Sequence, residues 1–164
     1  MLVLDFETRS RCDLISRGSF NYAFDWSTDI ICCAFYNLDT EHRQVWYSTE
    51  PLPDILRYEL ENADLIVAHN AEFDMNIYEC VAVEDYDFPE IPREKWYCSS
   101  AQARVNGLPA SLDDAAWALG LKSRKMSAGK GLIKALSLPQ PDGSFNTDPC
   151  LLYTSDAADD DRIV

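Results

Sequence analysis

Asp5 and Glu7 stand two residues apart in Leu2-Val3-Leu4-Asp5-Phe6-Glu7-Thr8, and Asp74 lies far along the chain in His69-Asn70-Ala71-Glu72-Phe73-Asp74. Read as a strand, the first segment turns Leu2, Leu4 and Phe6 to one face and Val3, Asp5 and Glu7 to the other. Two carboxylates side by side on a buried strand repel each other and lose solvation, so a compensating charge is required. A divalent cation supplies one, and Mg²⁺ takes few carboxylates while keeping waters and phosphate oxygens. The plainer alternative is a strand that ends at solvent with both acids hydrated. Asp74 has the same two readings. It is a metal-bound acid on the margin of an apolar helical stripe, or an ordinary first-turn aspartate favoured by the helix macrodipole.

The elements that must position these acids can be read from hydrophobic period and turn residues. Ile30 to Tyr36 is a continuous apolar run and reads as a central strand, Asn37 to Thr40 as a turn, and Gln44 to Tyr47 as the next antiparallel strand. With the opening strand they form a three-strand meander. Arg9 to Asp29 between the first two strands reads as an irregular connection with one helical turn. Pro51 to Ala63 reads as a helix with Leu52, Ile55, Leu56 and Leu60 on one face. Leu65 to Ala68 is then a short strand parallel to the first, because a helix crosses over to it. Asn70 serves as N-cap of a second helix reaching about Val83, whose inward stripe is Phe73, Ile77, Cys80 and Val81. Asp85 to Lys95 is a loop, and Trp96 to Val105 a short strand followed by a helix. Ser111 caps a helix stopped by Gly120, with Leu112, Ala115, Ala116 and Leu119 as its apolar face. Leu132 to Leu136 is a last short helix. If strands one and four are neighbours, all three acids converge at one end of the sheet.

Composition bounds the class. The chain has 164 residues, 47% hydrophobic and 12% aromatic, enough for a folded domain with a core rather than a disordered segment. Its net charge of −14 has the wrong sign for a protein that holds nucleic acid through a basic surface. An acidic site that meets phosphate through metal ions stays open. Cys12, Cys32, Cys33, Cys80, Cys98 and Cys150 form no C-x-x-C pair and only two histidines accompany them, which argues against a zinc site. Free thiols without a signal peptide point to a cytoplasmic protein, and no apolar run approaches membrane-spanning length. The one concentration of positive charge is Lys122, Arg124, Lys125, Lys130 and Lys134, either a solvated loop or a contact to phosphates. Trp26, Trp46, Trp96 and Trp117 are spread out and read as core and rim.

With these residues in place, the sequence resembles the RNase H-like 3′–5′ exonucleases of the DEDD (DnaQ-like) superfamily. Asp5-Phe6-Glu7-Thr8 matches their first motif, D-x-E-[TS], and Asn70-Ala71-Glu72-Phe73-Asp74 their second, N-x₂₋₃-[FY]-D. Asp5 through Ser10 with Asp13, Gly18 and Tyr22, and Ser111 through Gly120 with Lys122, Lys125 and Gly131, look more specifically like phage-type family A DNA polymerases. The resemblance covers roughly residues 2 to 149. It implies an α/β, RNase H-like mixed sheet, a three-strand antiparallel meander plus parallel strands, flanked by helices. It also implies hydrolysis of the 3′-terminal phosphodiester with two Mg²⁺ or Mn²⁺ ions roughly 3.5–4 Å apart. Asp5 would bridge both ions, Glu7 would hold one and align the attacking water, and Asp74 would bind the second through water. Thr8, Asn70 and Phe73 would contact or support the substrate, with an N-cap role open for Asn70 and a core role for Phe73. Lys122 and Lys125 would meet phosphates. The implied partners are a single-stranded DNA 3′ end and a polymerase domain in the full-length gene product.

The family's third motif, Y-x₃-D or H-x₄-D, is not matched. Tyr153 and Asp156 fall one residue short of it, inside Cys150 to Val164, a stretch that resembles translated adapter read-through. Residues 1–149 are therefore expected to be an exonuclease domain lacking its third motif, with 150–164 a non-native tail and this chain weak or inactive. The alternatives are a stand-alone exonuclease of RNA or DNA ends, and a non-catalytic binding module that keeps the fold.

Overall fold

The computed structural model describes residues 1–121 and 127–147, and the chain divides into two compact units, Met1–Ser99 and the residues from Ser100 onward. Lys122, Arg124, Lys125 and the 150–164 tail lie outside the described residues.

The first unit is a five-stranded mixed sheet in the order β3-β2-β1-β4-β5. Strands β1 (Leu2–Arg9), β2 (Asp29–Asn37) and β3 (His42–Tyr47) form the antiparallel meander, while β4 (Ile66–Ala68) and β5 (Trp96–Cys98) run parallel to β1 on its other side. This is the mixed α/β architecture expected of an RNase H-like fold. On β1 the alternation holds, with Leu2, Leu4 and Phe6 buried, Asp5 exposed and Glu7 half-buried. Each buried aliphatic side chain contributes about 1.5–3 kcal/mol. A bulge interrupts the β1–β2 register, where Glu7 opposes Cys32 but Thr8 opposes Ile30. The unpaired residue, Ile31, explains why Ile30 and Ile31 are buried in succession.

Helix α2 (Asp54–Asn62) makes the crossover from β3 to β4 and buries Leu56 and Leu60. Ile55, expected on that face, is exposed, and its place is taken by the buried Glu59. After β4 the chain runs through α3 (Glu72–Ile77), a π-helical segment (Tyr78–Ala82) and α4 (Val83–Tyr86). The single helix expected there therefore contains one wide turn. Its inward residues Ile77, Tyr78 and Val81 join an aromatic core in which Phe88 lies 5.1 Å from Trp46 and 5.6 Å from Tyr78.

The largest departure lies between β1 and β2, where the sequence predicts an irregular connection. Residues Leu14–Ala23 form α1, a helix whose N-cap Asp13 accepts the Ser16 N–H at 2.7 Å. Gly18, at φ 79° and ψ 164°, kinks it. Only Tyr22 and Ala23 are buried, so the hydrophobic period that would announce the helix is nearly absent from the sequence.

In the second unit, α5 (Ser99–Val105) and α6 (Leu112–Ala118) end at Gly107 and Gly120, both with positive φ, and Ser111 caps α6 as expected. The predicted apolar face of α6 is not buried as a whole, because Ala115 is buried but Leu112 and Leu119 are exposed. Helix α7 (Ser127–Ser137) is longer than the expected Leu132–Leu136 turn.

Candidate functional site

The arrangement of β1 and β4 brings Asp74 against the strand that carries Asp5 and Glu7. The Leu2 N–H donates to Leu65 O at 2.9 Å, so the even-numbered amides of β1 face β4. β4 ends at Ala68, after three residues, and leaves the later amides of β1 without a strand beside them. The side chain of Asp74 fills that gap, and its Oδ1 accepts the Phe6 N–H at 3.2 Å. Asp74 is only 3% exposed.

The electrostatics follow from this placement. Burial pushes the Asp74 carboxyl up to about 7, the Asp5 charge adds to the rise, the Phe6 N–H opposes it, and Glu7 adds a smaller push. Beneath the cluster, the Cys33 thiol is held well above its ordinary value by burial, then by Cys32 and by the Asp5 and Asp74 charges. Asp5 and Glu7 thus act on Asp74 as close anions. The cost of desolvation falls on Asp74 rather than on the strand pair, since Asp5 faces solvent.

Asn70 has a different role from the N-cap expected of it. Helix α3 begins at Glu72 behind Ala71, with no side-chain cap, and Asn70 is exposed at φ 71°. It supplies the left-handed residue that turns the chain from β4 into α3, a conformation Asn adopts at less cost than most residues. The Phe73 N–H closes that turn on Asn70 O at 3.0 Å.

Phe73 is half-buried at the edge of the core, its ring 5.9 Å from that of Tyr22. The Tyr22 hydroxyl shares a 3.0 Å hydrogen bond with Thr8 Oγ1. Burial, and more weakly the nearby Cys12 and Glu7 charges, raise the phenol's pKa against that bond. Tyr22 therefore joins α1, β1 and α3 beside the acids. Sequence pattern alone leaves Tyr22 in a connector. The cue available is Asp13 three residues before Ser16, a capping spacing that starts a helix containing Tyr22.

Among the described residues, no group of three or more His, Cys, Asp or Glu side chains is arranged to hold a metal ion. The donor chemistry nevertheless suits a hard cation. All three side chains offer carboxylate oxygens, and a cation would favour the ionised form of Asp74 that burial and the Asp5 and Glu7 charges disfavour. Any ion here would draw part of its coordination from water or phosphate.

Over 140 residues, 84% of its length, the chain is 31% identical to a DNA polymerase of Bacillus phage SP02. It spans 21% of that polymerase. The chain is thus distantly homologous to one part of a phage DNA polymerase. No protein-family model matches it. Among the described residues, no helix is long and apolar enough to cross a membrane.

Proposed function

We propose that this chain is the 3′–5′ exonuclease domain of a phage-type DNA polymerase, a domain that in the full polypeptide removes the terminal nucleotide of a DNA strand as a monophosphate, and that this chain, which does not match the third motif, is weak or inactive by itself. The observation that carries the reading is the buried Asp74, drawn against β1 at Phe6 and pressed by the Asp5 and Glu7 charges. Homology to part of a phage DNA polymerase supports the setting.

Asp5, Glu7 and Asp74 would hold two divalent ions, Mg²⁺ or Mn²⁺. When bound, such ions supply an activated water and stabilise the leaving 3′ oxygen. The protein's own contribution is positional. The Phe6 amide fixes the Asp74 carboxylate, and the pleat of β1 sets Asp5 and Glu7 on one face. Burial raises the Asp74 carboxyl to about 7, and a cation held there would favour its ionised form. Thr8, fixed by Tyr22, and the Asn70 turn border this cluster and would meet the terminal nucleotide. Lys122 and Lys125 remain proposed phosphate contacts.

The test is shortening of a 5′-labelled DNA single strand in Mg²⁺ or Mn²⁺, by this chain and by the polymerase polypeptide in which the segment sits, each beside its Asp5→Ala variant. Stepwise 3′ shortening that the substitution abolishes supports the assignment. Equal trace activity in the polypeptide and its variant refutes it and favours a binding module.

A further inference from the structure

Three aromatic side chains at the end of α1 face solvent. Phe20 is 56% exposed, Phe24 75% and Trp26 83%. Burying such rings is the ordinary way to gain stability, so exposed rings close in sequence, two of them stacked, are candidates for recognition. Their geometry is ordered. Phe20 and Phe24 are one helical turn apart, with centroids 6.0 Å apart and planes only 6° from parallel. The Arg11 guanidinium lies over the Trp26 ring, 5.2 Å from its centroid.

The cations beside the rings narrow the occupant. In a chain of net charge −14, this segment carries two exposed guanidiniums, Arg11 and Arg17, alongside the carboxylates of Asp13 and Asp25. A parallel ring pair, and a further ring under a guanidinium, offer faces for bases and a cation for a phosphate along a single strand. The helix that carries these rings also packs against β1 beside the acids. Tyr22, between Phe20 and Phe24 in sequence, turns inward from the same helix to bond Thr8.

We propose that Phe20, Phe24 and Trp26 form a stacking ridge for single-stranded DNA, with Arg11 and Arg17 holding its phosphates, and that the ridge leads the strand toward Asp5, Glu7 and Asp74. The proposal rests on the exonuclease reading, and binding separates the two. With EDTA present to stop cleavage, an oligo(dT) is titrated into the protein and followed by anisotropy and Trp fluorescence.

Removing Phe24 and Trp26 together, each to Ala, should weaken binding at least about fivefold per ring. Trp26→Phe should remove the oligo(dT)-induced quench while keeping most of the affinity. Arg11→Gln and Arg17→Gln should each lower the salt slope of log K by about 0.7. Thermal melts of the variants should match the native protein, since every altered side chain is exposed. Unchanged affinity in the double-ring variant overturns the ridge, as does no binding by the native chain or preference for oligo(U). So does protection of these rings from hydroxyl radicals in the DNA-free polymerase polypeptide, which would make the surface a protein interface. If Asp5-dependent shortening persists in any of these cases, the ridge alone falls and the exonuclease reading stands.

Discussion

The carboxylate of Asp74 stands beside Phe6 where the next residue of β4 would otherwise lie, accepting a backbone N–H that the short strand leaves uncovered. One hydrogen bond thus replaces a strand pair and also fixes an anion against two others. The same substitution makes the site sensitive to protons.

Stability should fall with rising pH because of Asp74. The folded carboxyl keeps its proton up to about pH 7, whereas the unfolded one releases it near pH 4. Between those values the folded state binds more protons, so alkalinity favours unfolding. Asp74→Asn retains the acceptor for Phe6 and removes the titration. Urea unfolding at pH 5 and pH 8 should show the native protein losing stability relative to the variant. Each tenfold difference in proton affinity between the folded and unfolded carboxyl is worth about 1.4 kcal/mol, so the loss is a few kcal/mol at most.

Divalent cations should reverse that loss. At pH 7.5, Mn²⁺ or Mg²⁺ should raise the melting temperature of the native chain, and a chelator should restore the original value. A cation at one hundred times its dissociation constant stabilises by about 2.7 kcal/mol. Asp5→Ala and Asp74→Asn should each abolish most of the response. An equal rise in all three proteins would show that the ion binds elsewhere.

Thr8 and Tyr22 should be energetically coupled. Thr8→Val leaves the buried Tyr22 hydroxyl without its 3.0 Å partner, and Tyr22→Phe removes the other half of the pair. A double-mutant cycle by denaturant unfolding should give a coupling of about 1 kcal/mol. Each single change strands the partner's buried hydroxyl, so both should destabilise and the double variant should cost less than their sum.

Asn70 should behave as a turn residue when stability is measured. At φ 71°, Asn70→Gly should be neutral or mildly stabilising, while Asn70→Ala should cost about 1 kcal/mol. If the side chain also meets substrate, Asn70→Gly would keep stability and still lose exonuclease rate. The pair of measurements therefore separates the two roles.

What can be read from the sequence follows from which residues carry a period. Leu2, Leu4 and Phe6 alternate with Val3, Asp5 and Glu7 cleanly enough to set β1, its inward face and the pairing of two acids. The apolar run of β2 and the turn before β3 then give the meander. The parallel placement of β4 follows from α2 crossing over, and it puts Asp74 near β1. Helix α1 is hidden because Gly18 breaks it and its aromatics point outward, so Phe20 and Phe24 add noise to the hydrophobic stripe. The bond from Phe6 to Asp74 is beyond reach for another reason. It depends on β4 stopping at Ala68 and on Asn70 taking a left-handed conformation, and no local pattern specifies either. Ile55 and Glu59 on α2 show the same limit, since periodicity assigns the apolar residue inward and the structure buries the acid.

The π-helical segment Tyr78–Ala82 uncouples two bearings that an unbroken helix would lock together. Upstream of it, α3 aims Asp74 at β1, and downstream α4 aims Tyr86, whose hydroxyl bonds Asp29 and whose ring meets Trp46 at 5.3 Å. Each added residue rotates a helix by about 100°. Deleting one residue from the wide turn would regularise the spiral yet swing Tyr86 off its contacts while leaving the acid in position. That single surplus residue works as a phase adjuster, letting one continuous rod serve two targets that lie on different azimuths.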